Sequence, residues 1–252
     1  MYAYWPTIVV LGRGRLASLE GRAASRDTLP PVSWMPFSLL WEVTVGERLT
    51  DKSCCAFAEV LAAKESVPGG GGAAALVGAL GVALGSMVGN FTTGKKRYAE
   101  VEDDIQRMLA DGERIRCTLI ELVEEDAAAF FPLSQAYGIP KEDPTRTQVL
   151  EDATKNACAA PVEMMRQIAQ AIELLEEMGE KGSRMLLSDV GCGALLCRAA
   201  LEAASLNVFV NTKTLTDRPF AEKVEAEVDA ILSEYCPRAE ACAASVMAHI
   251  RK

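Results

Sequence analysis

From Ser53 to the C-terminus, apolar residues recur at intervals of three and four, which is the spacing of one face of an α-helix. Ser53 is suited to cap a first helix reaching about residue 64. Pro68 and the run Gly69, Gly70, Gly71 and Gly72 interrupt the pattern. A second helix is predicted over 73–91 and a long third over 98–136. Pro140 and Pro144 mark the next turn. A fourth helix spans 147–178, kinked at Pro161, because proline lacks the N–H donor and crowds the preceding turn. Gly179 and Gly182 end it, a fifth covers 184–210, and a sixth starts near Pro219 and runs to the C-terminus. The stretch 207–214 alone competes as a β-period segment. Helices joined by short loops predict an all-α antiparallel bundle of about six helices.

Residues 1–48 break this texture. They hold the three tryptophans Trp5, Trp34 and Trp41, no lysine, and the prolines Pro6, Pro30, Pro31 and Pro36. The apolar run 8–11 is too short for a signal-peptide core. The segment reads as a poorly ordered N-terminal extension that contributes nothing to catalysis, with the helical domain covering 49–252.

The predicted second helix is uncharged and carries Gly78, Gly81, Gly85 and Gly89 on one face. Two successive G-x-x-x-G steps also occur in membrane helices. Here the residues are mostly Gly and Ala, no aromatic belt flanks both ends, and the other helices are amphipathic and charged, so a core helix is expected. Each glycine in a helix interior costs about 1 kcal/mol relative to alanine. Four on one face imply a compensating contact: a partner helix, a flat ligand or a second subunit. A subunit contact with the active site near it is the expectation.

The chain has 252 residues, half of them apolar, a formal charge of −9 and a pI near 4.9. That charge argues against nucleic acid and anionic membrane surfaces, but not against a small anionic ligand held by a local basic cluster. The eight cysteines form no C-x-x-C pair and His249 is the sole histidine, so no zinc-site spacing exists and no metal is expected. Small buried thiols in a reducing cytosol are the natural reading, which places the protein in the cytoplasm. His249 lies four residues from the end and leaves no partner for a Ser-His-Asp or Cys-His set.

Candidate chemistry sits at four places. Gly69, Gly70, Gly71 and Gly72 precede a helix N-terminus, where free N–H groups attract anions, although no phosphate-loop G-K-[ST] follows. Lys95, Lys96 and Arg97 stand beside Tyr98 and could hold a carboxylate. Asp126 interrupts the apolar line Ile115, Leu119, Leu122, Phe130, Leu133, with Glu124 and Glu125 expected in solvent. Asp189 interrupts the line Leu186, Gly193, Leu196, Ala200. A buried carboxylate needs a cation, a hydrogen-bond network or a function, so each aspartate is structural or catalytic. Asn207 and Asn211 share a helical face, with Lys213 close behind. Asp189 and Asn207 would be about 27 Å apart along one helix. Within one subunit they line two ends of a groove or serve two sites.

Taken in order, Pro68-Gly-Gly-Gly-Gly-Ala-Ala-Ala-Leu, the glycine-rich helix, Gly94-Lys-Lys-Arg-Tyr98, Glu125-Asp-Ala127, Ser188-Asp-Val-Gly191 and Asn207-Val-Phe-Val-Asn211 resemble the formiminotransferase-cyclodeaminase family. The likeness is to its C-terminal cyclodeaminase domain and to stand-alone bacterial relatives, over 49–252. One departure is Gly72, where the family often has serine. The resemblance implies an all-helical homodimer or larger assembly acting on a tetrahydrofolate derivative, without a metal or redox cofactor. It implies one of two reactions. In cyclodeamination N10 of 5-formiminotetrahydrofolate attacks the formimino carbon and ammonia leaves. In cyclohydrolysis water opens 5,10-methenyltetrahydrofolate to the 10-formyl compound. Both need proton transfer at nitrogen. Asp126 is the first choice for that role and Asp189 the second. Gly69, Gly70, Gly71, Gly72, Lys95, Lys96, Tyr98, Asn207, Asn211 and Lys213 are the expected substrate contacts, with the lysines on the folate carboxylates. No formiminotransferase segment is recognised in the chain, which favours the cyclohydrolase. A non-catalytic folate-binding or assembly module of the same fold is the alternative.

Overall fold

The structure, a computed structural model, describes residues 8–11, 15–18 and 48–252. It divides into two units, residues 1–51 and residues 52–252. In the first, β1 (Ile8–Leu11) pairs antiparallel with β2 (Arg15–Ser18), Ile8 opposite Ser18 and Leu11 opposite Arg15. The sequence reading assigned no regular element here. The run Ile8-Val-Val-Leu11, dismissed as too short for a signal core, has the β-branched composition and length of a strand. A 3₁₀ turn, Leu49–Asp51, closes the unit. The expected poor order of the rest of 1–48 lies outside the described residues.

The second unit is all-helical. Helix α1 (Cys54–Ala62) is capped as expected, Ser53 Oγ accepting from Ala56 N–H at 3.1 Å. Helix α2 (Gly70–Asn90) starts three residues earlier than predicted, so the glycines form its first turn rather than its entry loop. A 3₁₀ turn (Lys96–Val101) leads into α3 (Glu102–Tyr137). Glu102 holds that entry, its carboxylate accepting from the N–H of Gly94, at 2.9 Å, and from the Thr93 hydroxyl. Gly94 has φ +71°, a left-handed conformation that favours glycine.

The predicted fourth helix is two, α4 (Arg146–Ala157) and α5 (Ala159–Lys181), making seven α-helices among the described residues. Pro161 cannot donate to the Ala157 carbonyl four residues back. Asn211 Nδ2 donates to that carbonyl instead, at 3.1 Å. Helix α6 (Leu187–Thr212) takes up most of the stretch weighed as β-period. Helix α7 (Arg218–Ile250) starts with Pro219 in its first turn and Asp217 Oδ1 accepting from Phe220 N–H at 3.1 Å.

Helix α2 is the centre of the bundle, packed against α3, α5 and α6, with α7 against α5 and α6. The glycine face meets helices of the same chain. Gly78 faces Ile168 of α5, Gly85 faces Leu174 and Leu175, and Gly89 faces Leu109 of α3. A methyl group on Gly81 would lie 2.5 Å from Cys197 Sγ and 3.1 Å from the Gly193 carbonyl oxygen of α6. The compensating contact is therefore a set of partner helices, and the expectation that this face meets another subunit is corrected. Helix α2 and the stretch Arg184–Thr212 are long and apolar enough to cross a membrane, but 56% and 44% of those windows are buried in the bundle.

Candidate active site

The first turn of α2, the middle of α3 and the C-terminal half of α6 meet at one point. Asp126 of α3 reaches the glycine turn. A methyl group on Gly71 would sit 2.5 Å from both its carboxylate oxygens, so only glycine leaves room for it. The Gly72 N–H donates to that carboxylate. The Asn207 side-chain amide lies over Gly70, 3.4 Å from where a Cβ would be. Its Nδ2 donates to the Ala203 carbonyl at 2.9 Å, which fixes its orientation along α6. Gly72 itself is buried between Pro68 and Val123.

Two effects compete on Asp126. Burial among apolar neighbours disfavours its charge, and the Gly72 N–H at a helix N-terminus favours it. Burial wins, and the carboxyl is pushed up to about 6. Both protonation states are accessible near neutral pH, as a group that takes and returns a proton requires.

Lys95, Lys96, Tyr98 and Asp189 sit towards the other end of the bundle. Helix α2 has 21 residues and is about 30 Å long. Lys95, Lys96 and Arg97 follow its C-terminus and are exposed. Lys95 Nζ lies 6.0 Å from the Phe91 ring centroid, and the Arg97 guanidinium lies 5.7 Å from that of Tyr98. The Tyr98 oxygen bonds the Ser183 hydroxyl and accepts from Arg184 N–H at 3.3 Å. With the Arg97 and Lys95 charges, these contacts hold the phenol below its ordinary value. Asp189 is half-buried in the first turn of α6, where a helix dipole favours a carboxylate for structural reasons alone.

The structure therefore gathers Gly70, Gly71, Gly72, Asp126 and Asn207, with Gly69 as the cap residue of α2. Lys213, exposed at the end of α6, is on that side. Lys95, Lys96, Tyr98 and Asp189 form a second group. Asn211 spends one amide N–H on the Ala157 carbonyl.

Two further readings need correction. Glu124, expected in solvent, is buried at 6% exposure. The run Ala127, Ala128, Ala129 carried that signal, because such a helix is enclosed on more than one side. Four of the eight thiols, Cys54, Cys55, Cys117 and Cys192, are exposed rather than buried, and all eight are free. The Thr92–Ser183–Tyr98 linkage, with Ser183 N–H donating to Thr92 Oγ1 at 2.8 Å, had no sequence signal, since its partners lie far apart in the chain. A cleft of about 760 Å³ lined by Glu176, Arg184, Cys242 and His249 contains none of the predicted site residues.

A helical bundle with a half-buried carboxyl group set against a glycine-rich helix start defines the class. The profile of the formiminotransferase-cyclodeaminase family matches residues 53–230, and the chain belongs to that family. A methenyltetrahydrofolate cyclohydrolase of Methylorubrum extorquens is 42% identical over 182 residues, covering 71% of this chain and 88% of the relative. The formimidoyltransferase-cyclodeaminase of Rattus norvegicus is 32% identical, covering 75% of this chain but 36% of that longer protein. The crystal structure of a formiminotetrahydrofolate cyclodeaminase from Thermotoga maritima superposes with a TM-score of 0.70 at 31% identity, covering 79% of this chain and 96% of the other.

Proposed function

We propose that the chain is a cytoplasmic enzyme of tetrahydrofolate one-carbon metabolism that hydrolyses 5,10-methenyltetrahydrofolate to 10-formyltetrahydrofolate. The observation that carries the reading is Asp126, a carboxyl poised at about 6 against the N-terminal turn of α2. The likeness to the cyclohydrolase over most of both chains supports water as the nucleophile.

The methenyl carbon lies between N5 and N10 in a cationic amidinium. An ionised Asp126 attracts that cation and accepts a proton from the attacking water. The resulting tetrahedral carbon bears a hydroxyl and both nitrogens. Asp126 then gives its proton to N5, the C–N5 bond breaks, and the hydroxyl loses its proton as the formyl C=O forms. One water is consumed and one proton is released to solvent. Asn207 and the first-turn amides of α2 orient the pterin and its developing charges. The proposed steps are water attack and proton transfer, which call for no redox cofactor and can proceed without a metal.

The second reading, cyclodeamination, is favoured by the likeness to the Thermotoga cyclodeaminase over nearly its whole length. There Asp126 would protonate the departing ammonia. Following methenyl absorbance separates the two: loss of the methenyl compound in water marks the hydrolase, and its formation from the formimino compound marks the deaminase. Absence of both leaves a binding module. For the active reaction, Asp126→Asn should lower kcat by about 10²–10⁴-fold with the circular dichroism unchanged. Folded variant with wild-type kcat would remove Asp126 from the mechanism.

A further inference from the structure

A polar pocket of about 210 Å³ lies where the end of α3, the start of α4 and the α6–α7 turn converge. Helix α4 gives it one wall. Thr147, Leu150, Glu151 and Thr154 recur at intervals of three and four and share one face of that helix. Tyr137, the last residue of α3, and Thr216 of the turn belong to the other walls. Leu133 of α3 packs on Ala153 and Ala157 of α4, and Asn211 of α6 holds the Ala157 carbonyl, so these elements are tied together around the pocket. Tyr137 is about 16 Å along α3 from Asp126, which puts the pocket outside the reacting centre.

Two of its side chains have unused donors. Arg146 donates from Nε to the Ile139 carbonyl at 2.9 Å, which sets the plane of the guanidinium. Its terminal nitrogens have no partner among the described residues, whereas Arg107, Arg116, Arg166, Arg198, Arg218 and Arg238 are each ion-paired to a glutamate. Thr154 is 4% exposed, and its hydroxyl makes no hydrogen bond among the described residues. That oxygen is not sealed in the core, so it opens on the pocket that Thr154 lines. A buried hydroxyl without a partner costs free energy that a bound acceptor recovers. An anionic oxygen pair answers both groups, accepting from the guanidinium fork and from the hydroxyl. Glu151, the carboxylate in the lining, is already engaged elsewhere. It accepts from the N–H groups of Thr216 and Asp217, each at 2.9 Å, and from the Thr216 hydroxyl at 2.8 Å, with Lys155 Nζ 3.8 Å away. Its charge is thus directed to the α6–α7 turn and balanced there.

We propose that this pocket binds a small carboxylate carried on an apolar or aromatic body, with the carboxylate on the Arg146 fork and the Thr154 hydroxyl. Tyr137 and Leu150 supply the aromatic and aliphatic walls for that body. The volume is below the roughly 300–1,000 Å³ of drug-sized ligand sites, so the ligand is small or enters by one end only. Once bound, the anion bridges the start of α4 to the end of α3, the helix that carries Asp126. Two sources supply such a group: the aminobenzoyl-glutamate tail of the folate, and a free organic acid. The site does not rest on the folate reading; only the choice between these sources does.

Benzoate is the probe, with benzamide as its uncharged counterpart, and titration calorimetry on the full chain is the measurement. The wild type should take up one benzoate per chain with a Kd of roughly millimolar order, as befits so small a ligand, and should bind benzamide far more weakly. Arg146→Gln should weaken benzoate binding about tenfold or more. Thr154→Val, which keeps the side-chain shape, should weaken it about fivefold, and decides alone should Arg146→Gln fail to fold. Asp126→Asn should bind benzoate as the wild type does. A wild type that ignores benzoate, equal affinity for benzamide, or undiminished binding by either pocket variant would overturn the site. Kinetics then identify the source. With the folate tail in the pocket, benzoate competes with substrate, and Arg146→Gln raises KM more than it lowers kcat. With a free acid there, Arg146→Gln leaves KM unchanged and benzoate binds alongside substrate. Both results uphold the pocket. Should the wild type turn over neither folate, the function reading fails, and calorimetry alone decides whether the pocket holds a carboxylate.

Discussion

Asp126 illustrates how one side chain couples stability to chemistry. Its folded carboxyl titrates at about 6 against an ordinary value of 3.8, so between those values the folded chain holds more of this proton than the unfolded chain does. Stability therefore falls as pH rises through that window, and the cost of the buried charge is complete above about pH 6. Asp126→Asn removes that cost while keeping an acceptor for the Gly72 N–H. Its melting temperature should match wild type near pH 3.5 and exceed it at pH 8. A variant that melts lower at pH 8 would mark Asp126 as a structural carboxylate. The apolar stripe around Asp126 made it legible in the sequence. The same stripe argument picked out Asp189, which lies in the first turn of α6, a position where acidic residues are favoured on structural grounds as well. Periodicity identifies a carboxylate on a buried face but not what waits opposite. Asn211 was read as a substrate contact from the family resemblance, and its hydrogen bond to the Ala157 carbonyl, 54 residues away, had no sequence signal.

At the level of elements, the start and stop signals were well placed where the backbone itself enforces them. The Ser53 cap, the Pro219 start and the Gly182 stop fall where expected. The 147–178 helix was not one element, since the break depends on whether a distant side chain takes up the carbonyl that Pro161 leaves. The α2 glycines were legible as a close-contact face, but not as a contact inside the chain. Gly81→Ala should gain about 1 kcal/mol of helix propensity yet lose more to the forced separation of α2 from α6, since overpacking costs typically 1–3 kcal/mol. The expected outcome is a lower denaturation midpoint with an unchanged m-value. A more stable variant would mean that the crossing has slack. Gly71→Ala, by contrast, puts its methyl where the Asp126 carboxylate sits and should cost activity ahead of stability.

For the whole molecule, the sequence carried the helical class and the family through motifs that are local and ordered along the chain. It carried the site only as a set of residues, because which of them meet depends on the antiparallel run of α2 and α6. The proposed hydrolysis needs water and one carboxyl group. Dialysis against a chelator should therefore leave kcat and the melting temperature unchanged, and a loss restored by a divalent cation would point to a metal-dependent reaction. The central rod α2 has a further consequence. One of its ends cradles Asp126 and the other leads into Lys95, so its length acts as a gauge between the two groups. Each added or removed residue turns the rod by a hundred degrees and lengthens or shortens it by about 1.5 Å. The glycines that meet α3, α5 and α6 fix one face of α2 in identity, and the gauge fixes the helix in length, whereas the turn at Pro140 and Pro144 lies outside it.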